Sequence, residues 1–318
     1  MEQKTRGKRK MAQERIGLIG LGNVGGFYAR NLLKAFGALT VYDRDPAKCT
    51  ALQSEGATIA ASSADLAAQA DIIVLALPNP QAVQQEVVAE NGILAAANSG
   101  ALVMDISTID PETATKLYQS CDRAGYQYLE CPMSGGEPGG AGHFGAQKGL
   151  ITFMAGGDQA AFDRAVPVFD ALGKHWMLLG PAGTGNAVKL ISNLIAGLYM
   201  ASMAEGFVLG AAMGISHETL LKVFRHTDAQ SFTMFEEFAP YLSSNDYEEG
   251  FPVELMHKDH RLAGEMARKH NVPLYFNSLA MELYQTAMAR GFGRKSHAAI
   301  VESMALAANV SLTNKGAA

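Results

Sequence analysis

The run Gly20-Leu21-Gly22-Asn23-Val24-Gly25 has the spacing needed to hold a pyrophosphate against backbone N–H groups. In a strand-turn-helix unit the first glycine permits the tight turn, the second lets the backbone approach the phosphates, and the third lets the helix pack on the strand. Gly20, Gly22 and Gly25 stand in those places in order. The helix that follows would present unpaired N–H groups and the positive end of its dipole to the anion. A glycine-rich turn can also be purely steric, so its setting matters. The apolar run Ile16–Ile19 precedes it, a helical pattern follows, and a second apolar run delivers Asp43 about 20 residues downstream. Asp43 can accept hydrogen bonds from both ribose hydroxyls and would repel a 2′-phosphate, which favours NAD. Arg44 keeps NADP open, because a guanidinium there could stack on adenine or meet a 2′-phosphate. Asp43 also suits a plain turn ahead of Asp45-Pro46.

The elements that must position these residues are legible as alternating patterns. Ile16–Ile19, Leu39–Tyr42, Ile72–Leu77, Leu102–Ile106, Tyr126–Glu130 and Ile151–Ala155 read as buried strands. Gly25–Phe36, Pro46–Glu55, Ala82–Glu90, Pro111–Ala124 and Gln159–Leu172 read as helices between them. Such alternation predicts an α/β Rossmann domain over 14–180, a doubly wound parallel sheet with helices on both faces. After Gly180-Pro181 the texture changes to helix signals alone: Lys189–Gly214, Ser216–Phe224, Val253–His270, Leu279–Arg290 and His297–Ala307. An all-α C-terminal domain over 181–318 is expected. Ser134, Gly135 and Gly136 follow a strand end, where open α/β sheets place ligands, and their N–H groups and hydroxyl can hold a carboxylate. A structural glycine turn fits the same residues. Asn193 lies four residues after Lys189, so both side chains share a helix face, as a solvated surface pair would too.

Composition bounds the rest. A chain of 318 residues suits two domains. With 48% apolar and 18% charged residues, and no stretch of roughly 18 uninterrupted apolar ones, a soluble protein with no membrane partner is expected. A net charge of -5 argues against nucleic acid. The basic residues Lys4, Arg6, Lys8, Arg9 and Lys10 read as a disordered tail over 1–13, without the apolar core of a signal peptide. Cys49, Cys121 and Cys131 have neither zinc-ligand nor disulfide-framework spacing, which points to a reducing compartment, the cytoplasm. The apolar helix from Lys189 is too hydrophobic for one domain's surface and predicts a homodimer or homotetramer. His257 and His260 share a helix face, but no third ligand has matching spacing, and no metal is expected.

Several further motifs read together: the Leu77-Pro78 loop, Asp105-Ile106-Ser107-Thr108-Ile109-Asp110-Pro111, Cys131-Pro132-Met133-Ser134-Gly135-Gly136, Gly183-Thr184-Gly185-Asn186-Ala187-Val188-Lys189 through Asn193, and Lys258-Asp259. With the glycine turn, these make the chain resemble the β-hydroxyacid dehydrogenase family, which includes 3-hydroxyisobutyrate dehydrogenase and tartronate semialdehyde reductase. The resemblance runs from about Arg15 to Ile300. It implies hydride transfer between NAD(P) and a small anionic β-hydroxy acid or semialdehyde, with Lys189 as the catalytic group. It also implies cofactor contacts from Leu77, Pro78, Thr108 and Lys258. A lysine in a partly closed cleft suits the task, because desolvation lowers its pKa toward the working pH.

The chain departs from the family's pattern in three places. The stretch from Ser134 to Gly149 is about six residues longer, Ser192 stands where a second asparagine is common, and a late acidic residue is replaced within Arg294-Lys295-Ser296-His297. His143, Lys148 or Arg294 could meet an extra anionic group on the substrate, or be solvated. Two rivals share some of these features. An imine-reducing enzyme on the same scaffold would use a different proton donor, and a non-catalytic dinucleotide-binding module would have no use for Lys189.

Overall fold

The computed structural model describes residues 14–22, 24–96, 98–135 and 143–312. The tail 1–13, Asn23, and the segment from Gly136 through 142 lie outside the described residues, as do the side chains of His143 and Phe144.

Six strands, Ile16–Ile19 (β1), Thr40–Tyr42 (β2), Thr58–Ile59 (β3), Ile72–Leu75 (β4), Leu102–Asp105 (β5) and Gln127–Glu130 (β6), pair in parallel in the order β3-β2-β1-β4-β5-β6. Every residue of β1, β4 and β5 is buried, as expected of strands covered on both faces. Alternate side chains feed two cores. Ile72, Val74, Leu102 and Met104 pack on one side with Leu18 and Val41, while Ile73, Leu75 and Val103 pack on the other with Ile19 and Tyr128.

The covering helices are Gly25–Phe36 (α1), Pro46–Ser54 (α2), Ser63–Gln69 (α3), Pro80–Val88 (α4) and Pro111–Arg123 (α5). Three of them start where the sequence dictates, α2 at Asp45, which accepts from the Ala47 N–H at 3.1 Å, and α4 and α5 likewise. Asn79 accepts a hydrogen bond from the Ala82 N–H at 2.8 Å and Asp110 one from the Thr113 N–H at 2.9 Å, each ahead of a proline in the first turn.

Beyond β6 the sheet departs from the all-parallel expectation. Met133–Ser134 (β7) and β6 both pair antiparallel with Ile151–Gly157 (β8), and Gly173–Leu178 (β9) adds in parallel to β8. Apolar runs reveal that a strand exists but carry no sign of its direction. Strand β9 is not apolar throughout, because its edge position leaves Lys174 and His175 exposed, and β3 is two exposed residues long. Between β7 and β9 lie His143–Lys148 (α6) and Gln159–Leu172 (α7).

The rest of the chain is helical: Thr184–Ala212 (α8), His217–Phe224 (α9), Ala239–Ser244 (α10), Val253–Lys269 (α11), Tyr275–Ala289 (α12) and Ile300–Ala308 (α13), with one π turn at Thr233–Phe238. Helix α8 begins five residues ahead of Lys189, which therefore sits in its second turn. It packs on α11, α12 and α13. Gly197 is essential to that packing, because an added Cβ would collide with the His260 imidazole. Among the described residues α8 is also the one helix long and apolar enough to cross a membrane, at mean hydropathy 1.5 over 18 residues. Its buried face, with Met200, Ala204 and Phe207, is that of a core helix.

Candidate active site

A cleft of about 870 Å³ runs between the carboxyl ends of the first strands and the helical half. Sheets of this topology bind ligands at that end. Gly20, Gly22, Val24, Asp43, Arg44, Leu77, Pro78, Thr108, Ser134, Gly135, Lys189, Asn193 and Lys258 all line it. Leu21 instead sits in the core beneath, with its backbone N–H turned to Asp43.

At the dinucleotide end, Gly20 has φ +97 and a side chain there would strike the Ala76 carbonyl. A side chain at Gly25 would strike the carbonyl of Gly20, whereas Gly22 opens on empty space. The three glycines thus divide the turn, the close helix packing and the free approach as their spacing suggests. The N-cap of α1 is Val24, which offers no side-chain oxygen, so no N-cap side chain occupies the N–H groups of the first turn. Asp43 is fixed in place beforehand: Oδ2 accepts from the Leu21 N–H at 2.7 Å and Oδ1 from the Asp45 N–H at 2.9 Å. Lys48 Nζ stands 3.6 Å from Oδ1. The neighbouring Arg44 donates through Nε to Glu86 at 2.7 Å, and Glu86 also accepts from the Ser63 hydroxyl. Glu86, unforeseen from the sequence, tethers the guanidinium beside the cleft. The wall opposite is braced by the Leu77 N–H donating to Ser107 Oγ at 3.0 Å and the Ser107 N–H donating to Asp105 at 2.9 Å.

At the other end, Lys189 is 6% exposed and donates through Nζ to Asn193 Oδ1 at 2.8 Å. The one-turn spacing therefore makes a direct bond. Asn193 Nδ2 in turn donates to Asp259 Oδ2 at 2.6 Å. Lys258 Nζ lies 3.2 Å from Asp259 Oδ1, off the line of a good hydrogen bond, and donates instead to the Thr108 carbonyl at 2.8 Å. This chain of contacts ties α8 and α11 to the loop after β5. Burial pushes the Lys189 ammonium down to about 8, with Lys258 lowering it further and Asp259 and Glu237 pulling the other way.

Two features of this end were invisible in the sequence. Glu130, at the end of β6 and fully buried, accepts from the Gly183 N–H at 2.5 Å, the Gly185 N–H at 2.9 Å, the Asn186 N–H at 3.3 Å and the Asn186 side-chain amide. It is the cap of α8, and it joins the strand leading to Ser134 to the helix bearing Lys189. Asn186 completes the clasp by accepting from the Ile109 N–H at 2.9 Å. The second feature is Glu237, which enters the cleft from the π turn.

Ser192 and His297 also line the cleft, whereas Lys148 and Arg294 do not. His260 Nδ1 lies 2.7 Å from Asn277 Oδ1, and among the described residues no group of three metal-binding side chains forms.

Residues 15–180 match the family described as the NAD binding domain of 6-phosphogluconate dehydrogenase, and residues 183–304 match the NAD-binding family of NADP-dependent 3-hydroxyisobutyrate dehydrogenase. The 2-(hydroxymethyl)glutarate dehydrogenase of Eubacterium barkeri is 33% identical over 91% of this chain and 94% of its own. The NAD-dependent L-serine dehydrogenase of Pseudomonas aeruginosa is 33% identical over 90% and 96%. The structure of Mycobacterium tuberculosis 3-hydroxyisobutyrate dehydrogenase with L-serine superposes with a TM-score of 0.81 at 26% identity, covering 92% of this chain and 99% of that one. An imine reductase from Pseudomonas sp., at 20% identity and TM-score 0.57, shares the fold alone. The chain belongs to the β-hydroxyacid dehydrogenase family and is an NAD(P)-dependent dehydrogenase.

Proposed function

We propose that Lys189 exchanges the hydroxyl proton while a hydride passes between NAD and a small β-hydroxy acid, whose carboxylate rests on Ser134 and Gly135. The observation that carries this reading is a buried lysine, hydrogen-bonded to Asn193, in the cleft that also holds the glycine turn and Asp43. The nicotinamide, when bound, supplies the hydride acceptor or donor. Neutral Lys189 Nζ takes the proton from the alcohol as the aldehyde forms, and as an ammonium it returns the proton in the reverse direction. Asn193, anchored by Asp259, fixes the direction in which Nζ points. The division of labour follows the fold: residues 14–180 hold the dinucleotide and 181–318 supply Lys189 and Asn193. A panel of 3-hydroxy acids and matching 2-hydroxy acids, followed by nicotinamide absorbance, tests the reading. Turnover is expected with the 3-hydroxy acids, and turnover confined to the 2-hydroxy acids would sink it.

The preorganised Asp43 carboxylate favours NAD. Asp43→Ser is expected to raise the NADP-to-NAD ratio of kcat/KM on the order of tenfold, by removing one charge-assisted contact and one repulsion. An unchanged ratio would assign the choice to Arg44 and Glu86.

Helix α8 exposes Val188, Ile191, Ile195 and Tyr199, each about one turn from the next, and α12 exposes Tyr275, Phe276 and Leu279. These apolar faces support a homodimer or homotetramer. Sedimentation as a monomer at micromolar concentration would contradict it. Cys49, Cys121 and Cys131 are free and buried, which suits a reducing cytoplasm; recovery in a membrane or secreted fraction would count against that location.

A further inference from the structure

The α-carbon of a β-hydroxy acid carries three substituents: a carboxylate, the carbinol that reacts, and a third group. The proposed site assigns the first to Ser134 and Gly135 and the second to Lys189, leaving the third to whatever else lines that end of the cleft. Tyr241 and His297 line that end, and its acids, apart from the Asp259 that holds Asn193, are Glu237 and the exposed Glu254. Glu237 sits on the π turn Thr233–Phe238, a widened helical turn of a kind often found at functional sites, which sets it among Phe232, Tyr241 and Phe251.

Among the described residues no N–H or O–H donates to the Glu237 carboxylate. The buried or partly buried acids Asp43, Glu86, Asp105, Glu130 and Asp259 each have such a donor, and Glu254, which lacks one among the described residues, is exposed to solvent. Burial raises the Glu237 carboxyl above its ordinary value and Lys189 opposes the shift, so the two groups feel one another across the same space. An ionised carboxylate accepts hydrogen bonds and donates none. In a partly dry cleft it is satisfied by a cation, left unpaired by a methyl group, and repelled by a second carboxylate.

We infer that Glu237 is the specificity-determining residue of the cleft, holding an ammonium group on the α-carbon, so that the preferred substrate is an α-amino-β-hydroxy acid of the serine type rather than an alkyl- or carboxylate-bearing one. This inference rests on the dehydrogenase reading above. It adds a rejection to the selection, since the same carboxylate works against dicarboxylic hydroxy acids. The cation it holds also stands near Lys189 and favours the neutral lysine that alcohol oxidation requires.

The test compares wild type and Glu237→Gln on L-serine, 3-hydroxypropionate and 2-(hydroxymethyl)glutarate with NAD. Wild type is expected to prefer L-serine to 3-hydroxypropionate, the same acid without the ammonium, by at least about tenfold in kcat/KM, as one charged hydrogen bond provides. In Glu237→Gln, kcat/KM for L-serine falls roughly 10- to 100-fold, mainly through KM, so that its ratio to 3-hydroxypropionate drops at least about tenfold and 2-(hydroxymethyl)glutarate gains relative to both. Glu237→Asp, which keeps the charge, retains part of the L-serine preference. Equal losses on all three acids would show a supporting role for Glu237 and overturn the inference. A wild-type enzyme that turns over 3-hydroxypropionate at least as well as L-serine would also overturn it, without any variant. Turnover of none of the three would instead defeat the dehydrogenase reading on which it rests.

Discussion

Lys189→Ala is expected to lower kcat by about 10²- to 10⁴-fold, the range attributable to a general acid and base, while the dissociation constant of NAD changes less than about threefold. The separation follows from the geometry. Lys189 lines the cleft through α8, whereas the groups proposed to meet the dinucleotide, from Gly20 to Asp43 and from Leu77 to Thr108, come from the sheet loops, with Lys258 of α11 the exception. Removing the lysine leaves Asn193 bonded to Asp259, so the surrounding polar network survives. Steady-state kinetics beside a fluorescence titration of nicotinamide binding make the comparison. Near-normal kcat would move the proton transfer to another group, and loss of NAD binding would show that Lys189 shapes the cleft instead.

Glu130→Ala is expected to cost about 3–5 kcal/mol, because it strips the acceptor from several buried donors at once. For a domain of this size that lowers Tm by roughly 10 °C. Burial pushes the Glu130 carboxyl up to about 7 against the pull of those donors. Glu130→Gln keeps one oxygen but turns an amide N–H₂ toward the N–H groups of Gly183 and Gly185, so it falls between wild type and alanine. The same variants lower kcat even where they stay folded. Glu130 fixes the first turn of α8 against the strand leading to Ser134, and a displacement of about 1 Å between reacting groups can cost on the order of 10²-fold. Thermal melts and kinetics at a temperature well below Tm separate the two effects. A melt within about 1 °C of wild type would show that water or rearranged backbone satisfies those donors.

The contrast between Lys189 and Glu130 explains what the sequence could reveal. Lys189 and Asn193 are four residues apart, so helical geometry alone predicts that they meet, and the glycine turn with Asp43 lies within one strand-helix-strand unit. Local spacing carries such information. Glu130 reaches donors 53 to 56 residues later, and Arg44 reaches Glu86 across 42, so neither pairing leaves a periodic trace. Glu237 is hidden for another reason: the π turn breaks the 3.6-residue pattern that would reveal which face it occupies. The fold shows the same division. Six strands and the main helices were readable from apolar runs and their caps, but the antiparallel direction of β8 was not, since strand direction is set by the path of the connecting chain. The run from Gly183 to Lys189 did hold a clue to a crowded helix start, since Gly183 has φ +100 and a side chain at Gly185 would strike the Met154 carbonyl, but neither glycine names Glu130 as the acceptor.

The pH dependence of kcat/KM for alcohol oxidation tests the central claim most directly. A neutral lysine must accept the proton, so the rate should rise with pH through one ionisation near 8 and level off above it, and Lys189→Ala should abolish that ionisation. A profile governed by an ionisation near the ordinary lysine value of 10.5, or one that keeps its inflection when Lys189 is gone, would contradict the account.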